Sequence, residues 1–298
     1  MSRGVVVGCV WVLLSGCAAG SGGMASEAPV ESSQQEVRDE GESEAAASEA
    51  TAAEAPQEET FEVPGFGEVT DAEYAALVEQ GRSARVQATL AELEAELKAH
   101  AEGEVPPRLG DGEGADDVAE RLAYLREIDG FWRAAFSVLS GDWEAEEMLA
   151  LEHELASRGA ARDRETSGEL RAYLENNPWP SITRVGEQAS ADAWRIVQHA
   201  DYAPEFQAAV LERLKGQVEE GHVAAHHVAM LEDRVAMHRG EAQRYGTQGQ
   251  CGPSGWEPFE VEAPEELDAR RAAVGLEPMD EYKLRFESMC SPSAPGQR

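Results

Sequence analysis

The sequence predicts a mainly α-helical protein: a single multi-helix domain with a small β-hairpin near its C-terminus, preceded by a disordered acidic tether. Three observations predict it. From Pro64 onward, apolar residues recur at helical spacing between explicit start and stop signals. Between about Gln243 and Val261 that spacing gives way to short aromatic strings punctuated by Gly and Pro. Between Cys17 and Glu62 large apolar side chains almost vanish, so that stretch cannot bury enough surface to offset chain entropy.

The first sixteen residues carry Arg3, an apolar run from Val5 to Leu14, and then Leu14-Ser15-Gly16-Cys17. A membrane-spanning helix needs roughly 20 apolar residues. This shorter run, ending in small residues before a cysteine, predicts a secretory signal over 1–16, cleaved to leave a lipidated Cys17. The lipid would be the protein's contact with the membrane, since two acyl chains anchor stably. The expected location is the bacterial cell envelope, periplasmic or surface-exposed, with Ala18 favouring an outer membrane where one exists. Residues 17–62 then read as a tether of Ala, Ser, Glu and Gly with a root-mean-square reach of roughly 35 to 40 Å.

The helical domain is expected over 63–290. Thr70-Asp71-Ala72-Glu73 is a capping box. It opens a segment that carries Tyr74, Leu77 and Val78 and continues to Leu90, Leu93 and Leu97. After the Gly- and Pro-rich break at 103–114, Val118, Leu122, Leu125, Ile128 and Trp132 form one apolar stripe. A third helix holds Trp143, Met148, Leu151 and Leu155 and is expected to stop at Gly159. A fourth is expected to start at a second capping box, Thr166-Ser167-Gly168-Glu169, and to end at Asn176-Asn177-Pro178. Helices over about 187–200, 204–220 and 224–239 follow, with Pro204 in a first turn and Gly221 and Gly240 just past helix ends. Gln243–Gln248 and Trp256–Val261 predict two short strands or an irregular hairpin, and 264–273 and 278–286 two closing helices. Residues 291–298 read as a disordered tail, and no repeat of fixed period is present.

Composition narrows the function classes. With 58 acidic against 25 basic residues the net charge is -33, which repels a phosphate backbone and excludes nucleic acid as a partner. Beyond Cys9 and Cys17 only Cys251 and Cys290 remain. Export would place them where disulfides persist, so they either pair or sit reduced in a core. Without a CxxC, a calcium loop, a Walker loop or a dinucleotide fingerprint, no metal or cofactor is expected.

Further strings carry a resemblance. They are Trp179-Pro180, Val185-Gly186, Val197-Gln198-His199-Ala200-Asp201, Gln207, Leu231-Glu232-Asp233-Arg234-Val235, Gly240, Gln243, Tyr245-Gly246-Thr247-Gln248, Asp268-Ala269-Arg270-Arg271 and Gly275-Leu276. In this order they resemble a bacterial family, domain of unknown function family 6624, over about 122–282. The resemblance transfers no activity. It singles out Gln198, His199, Asp201, Asp233, Arg234, Gln243, Tyr245, Thr247 and Gln248 as the polar set.

Two functions are open for these residues. In the first, the domain binds an envelope protein, a peptide or a cell-wall ligand through the region of Gln198, His199, Arg234, Gln243, Tyr245, Thr247 and Gln248. In the second it is an envelope hydrolase: His199 with Asp201 or Asp233 forms an acid-base pair, and Tyr245 or Gln248 stabilises developing charge. Asp233 and Arg234 are adjacent on a helix and point about 100° apart, so each needs its own partner. The Tyr245–Gln248 string is either a turn presenting backbone N–H groups or a plain edge strand. His222 and His226 have metal-ligand spacing, but Gly221 and His222 stand before the expected helix start.

Overall fold

The computed structural model describes residues 59–101, 105–111, 114–252, 254–287 and 290. The expected signal segment 1–16, Cys17, the expected tether as far as residue 58 and the tail 291–298 lie outside the described residues. Among the described residues the chain forms ten α-helices and two small antiparallel hairpins. In chain order they are β1 (Thr60–Val63), β2 (Gly67–Thr70), α1 (Asp71–Gly81), α2 (Ala84–Ala101), α3 (Ala115–Ala135), α4 (Ala145–Asn176), α5 (Ile182–Val185), α6 (Glu187–Gln198), α7 (Pro204–Lys215), α8 (Ala225–Arg239), β3 (Gly249–Gly252), β4 (Gly255–Pro258), α9 (Leu267–Ala273) and α10 (Met279–Leu284). No helix among them is long and apolar enough to cross a membrane.

A hairpin near the C-terminus is present as β3–β4, in which Cys251 opposes Trp256, but its first strand lies at 249–252 and not at 243–248, which forms a turn instead. A second hairpin, β1–β2, went unpredicted: it pairs Phe61 with Val69 and begins at Thr60, inside the stretch assigned to the tether. Its turn needs the positive φ of Gly65 and Gly67. Thr70 then caps α1 as the capping box requires: its side chain accepts the Glu73 N–H at 3.3 Å, while Glu73 accepts the Thr70 N–H at 2.8 Å.

Three helix assignments differ from expectation: α7 stops at Lys215, short of residue 220, and two others differ for a visible reason. The segment from Thr70 to Leu97 breaks into α1 and α2, because Ser83 Oγ accepts the Val86 N–H at 3.2 Å and starts a new helix. Gly81 ends α1 against α4, where an added Cβ would lie 1.8 Å from the Glu146 carbonyl oxygen. Conversely, the two helices expected around Gly159 and Thr166 are one, α4. Thr166 and Ser167 donate their hydroxyls back to the Arg162 and Asp163 carbonyls, a bond that suits a helix interior. Glu169, expected to close the box, pairs instead with Arg121 at 2.7 Å.

The main core lies where α3, α4, α6, α7 and α8 meet, around Leu122, Leu170, Trp179, Ala193, Val197, Leu214 and Leu231. Each such fully buried large side chain contributes roughly 1.5–3 kcal/mol. A second core joins α2, the end of α3 and the first half of α4 through Val86, Trp132, Leu151 and Leu155. A third fastens the β1–β2 hairpin and α1 to α4 at Leu149 and Ala150. The C-terminal segment is closed by Trp256, Leu267, Met279 and Tyr282, next to the disulfide that joins Cys251 and Cys290.

Candidate functional site

Asp233 and Arg234 of α8 do turn to different partners. Asp233 is fully buried and accepts the backbone N–H groups of Arg244 and Tyr245 on Oδ1, at 2.8 and 2.9 Å. On Oδ2 it accepts the backbone N–H and the hydroxyl of Thr247, at 2.8 and 2.9 Å. The Tyr245–Gln248 string is therefore a turn that presents N–H groups, and the anion it holds belongs to the chain itself. Gly246 makes the turn possible with φ +65, and an added Cβ would meet Met279 at 2.7 Å. Burial raises the Asp233 carboxyl above its ordinary value, while these donors hold part of that rise back.

The rest of the turn is tied equally tightly. Gln243 donates to the Gln248 carbonyl at 2.9 Å and accepts the Gln248 N–H at 2.7 Å. Arg271 donates to the Tyr245 carbonyl at 2.6 Å, and Tyr282 to that of Thr247 at 3.1 Å. Arg234 reaches the other way, to the Gln198 carbonyl at 2.9 Å, to Asp201 at 2.9 Å, and to Gln248 Oε1 at 2.8 Å. Asp201 also accepts from Gln207 at 3.0 Å and pairs with His238 Nε2 at 3.0 Å. Burial pushes Asp201 up, but Arg234, His238 and Gln207 outweigh it and hold the carboxyl below its ordinary value. Seven members of the polar set thus form one buried lattice: Gln198 through its carbonyl, Asp201, Asp233, Arg234, Gln243, Thr247 and Gln248. The ring of Tyr245 is buried beside Ala229 and Leu276.

His199 points elsewhere. It caps the C-terminal end of α6, and its Nδ1 lies 2.8 Å from Asp129 Oδ2 on α3. Neither Asp201 nor Asp233, the carboxylates proposed from sequence as its partner, bonds to it. Arg133, one turn beyond Asp129, donates to Asp129 Oδ1 at 3.1 Å, and to both oxygens of Asp163 on α4 at 3.0 Å. Asp129 is 1 % exposed, whereas the His199 side chain keeps 15 % of its surface open and no described residue bonds to Nε2. Burial, together with Arg133 and Arg234, outweighs the pull of Asp129 and holds the imidazole below 6.5, so it is neutral near pH 7. Burial raises Asp129 too, but His199 and Arg133 reverse the sign and keep it ionised. Asp163 is pushed up to about 7, by burial first and then by the charge and direct hydrogen bond of the Asp129 carboxylate beside it, against the pull of Arg133.

Donor atoms of Asp129, Asp163 and His199 lie within 4.8 Å of one another. The guanidinium of Arg133 supplies positive charge that both carboxylates face, so the cluster is bound together by ion pairs. His222 stands ahead of α8 and pairs with Glu220 at 3.1 Å, while His226 packs against the His227 ring at 4.2 Å. These two histidines share no helix face, as α8 begins at Ala225.

Residues 141–290, half of the 298-residue chain, match the model of a family of unknown function, DUF6624. The chain belongs to this family. No curated protein and no solved structure matches it. The DUF6624 match starts later than the resemblance suggested, at residue 141 and not near 122. That edge divides the site: His199 and Asp163 lie within the DUF6624 segment, whereas Asp129 and Arg133 precede it. Sequence reasoning missed Asp129, Arg133 and Asp163. A signal for the first was present, since Asp129 interrupts the apolar stripe Leu125, Ile128, Trp132 on the face that α3 buries.

Proposed function

We propose that this DUF6624 member is a lipid-anchored protein of the bacterial envelope whose helical domain is a hydrolase, with His199 as general base. One observation carries the reading: His199 Nδ1 is held by the Asp129 carboxylate at 2.8 Å, while Nε2 is unbonded on a side chain 15 % open to solvent. A carboxylate on Nδ1 fixes the tautomer whose Nε2 lone pair can accept a proton, and it stabilises the imidazolium that results. Water is the nucleophile this arrangement suits. It attacks the electrophilic centre of an envelope or extracellular substrate, Nε2 takes its proton, and that proton is returned to the leaving group.

The alternative binding role has fewer groups to offer, because Arg234, Gln243, Thr247 and Gln248 spend polar groups on one another or on main-chain groups beside them, while the Gln198 amide stays without a partner among the described residues. The envelope location is supported by the signal-like first sixteen residues and by the Cys251–Cys290 disulfide, which suits an oxidising compartment. The test is turnover of a panel of ester, amide and glycosidic substrates by the purified protein. The substitution His199→Gln is expected to lower turnover by about 10²- to 10⁴-fold, the usual contribution of a general base. Wild-type turnover in that variant would remove the reading.

A further inference from the structure

His199 stands at the end of a chain of four side chains. Its Nδ1 uses Asp129 Oδ2, Asp129 Oδ1 uses Arg133 Nη1, and Arg133 Nη2 spans both oxygens of Asp163. Asp129 and Asp163 also meet directly through their carboxyl groups, so a change of charge at Asp163 alters the bonding of Asp129 both through Arg133 and at first hand. Three helix elements hold the chain: α3 gives Asp129 and Arg133, α4 gives Asp163, and the end of α6 gives His199. The Asp163 turn of α4 is itself braced, since Ser167 donates to the Asp163 carbonyl and meets the Tyr202 hydroxyl at 3.0 Å.

We propose that Asp163 is a positioning residue that governs the protonation of His199 through Arg133 and Asp129, so that the four side chains take up and release protons as one unit. The inference rests on the acid-base reading of His199. While Asp163 is ionised, it absorbs most of the charge of Arg133, and the charge of Asp129 acts on the imidazole. Once Asp163 is neutral, Arg133 falls to Asp129 alone, and the pull of Asp129 on an imidazolium weakens. The charged groups that face His199 are Asp129 and Arg133 from α3, Asp163 from α4 and Arg234 from α8; those that face Asp163 are Arg133 and Asp129. Burial pushes Asp163 up to about 7 and His199 down from its ordinary value, and because the bonded groups between them link the two charges, each group's titration is expected to register at the other.

The test follows the ring proton signal of His199 by NMR in the full chain, from acid to alkaline pH. In the wild type the signal is expected to move in two steps. In Asp163→Asn the upper step is expected to vanish, and in Asp163→Glu it should return, which a merely structural role for Asp163 would not produce. A His199 curve unchanged by Asp163→Asn overturns the proposal. Should Asp163→Asn not fold, the wild type decides: the carboxyl carbon of Asp163 must inflect at the same pH as the upper His199 step, and separate inflections overturn the proposal as well. Loss of the hydrolase reading, shown by full turnover in His199→Gln, would leave this titration standing, so the two failures are distinguishable.

Discussion

Thr247 reaches Asp233 twice, its N–H and its hydroxyl both donating to Oδ2, at 2.8 and 2.9 Å. With the two N–H groups on Oδ1, the carboxylate fills a cradle of backbone donors of the type other folds offer to phosphate. The turn from Arg244 to Gln248 has no strand ladder of its own, and a side chain on a neighbouring helix organises it.

Removing that carboxylate should therefore unmake the turn. Asp233→Ala leaves three backbone N–H groups and a hydroxyl without an acceptor, and its cost should be about 3 kcal/mol or more. Denaturant unfolding measures it. A loss below about 1 kcal/mol would mean that the turn forms without Asp233.

The Arg234–Asp201 pair is the second expected weak point. Arg234→Met strips Asp201 of its strongest partner in a buried place, and the expected loss is about 3–5 kcal/mol. Arg234→Lys should recover only part of it, because an ammonium cannot span Asp201, the Gln198 carbonyl and Gln248 as the guanidinium does. Equal stability of the Lys variant and the wild type would show that charge alone matters there.

Much of the fold was legible in the sequence, and the lattice was legible in part. Capping at Thr70, the stripe on α3, Pro204 in the first turn of α7 and Gly240 past the end of α8 are local signals, written within a turn or two of chain. The single helix α4 was not legible, because Thr166, Ser167 and Glu169 can be read as a cap until it is known that Arg121, 48 residues away, takes the glutamate. The partner of His199 was hidden for the same reason: Asp129 lies 70 residues upstream, and only the packing of α3 on α6 brings them together.

Glu152 gives a pH-dependent expectation. Burial alone pushes its carboxyl from an ordinary 4.5 up to about 7. A raised folded value means that this group favours folding below about 4.5 and that the benefit is lost as pH rises towards 7, where the folded state bears an ionised, half-buried carboxylate. Glu152→Gln should therefore stabilise the protein above that window, by no more than roughly 2–3 kcal/mol, and change little below it. Urea midpoints on either side of the window check this, and a gain of equal size on both sides would refute it.

Reducing the Cys251–Cys290 bridge, which spans a sequence separation of 39, should cost about 4 kcal/mol in the loop-entropy account. A thermal melt with and without reductant reads it directly. An unchanged melt would show that the packing of Trp256, Tyr282 and Phe286 closes this segment without the bond.

Helix α4, with 32 residues, is about 48 Å long and joins two mechanically different ends. A pull applied at Thr60 meets first the outer pair of the β1–β2 ladder, Thr60 with Thr70, and opens the hairpin rung by rung. Load then passes to the seam of α1 on the first turns of α4, while Asp163 sits well along the same rod. Strain entering from the N-terminal side is spent on a sacrificial zipper before it can tilt the helices that hold His199.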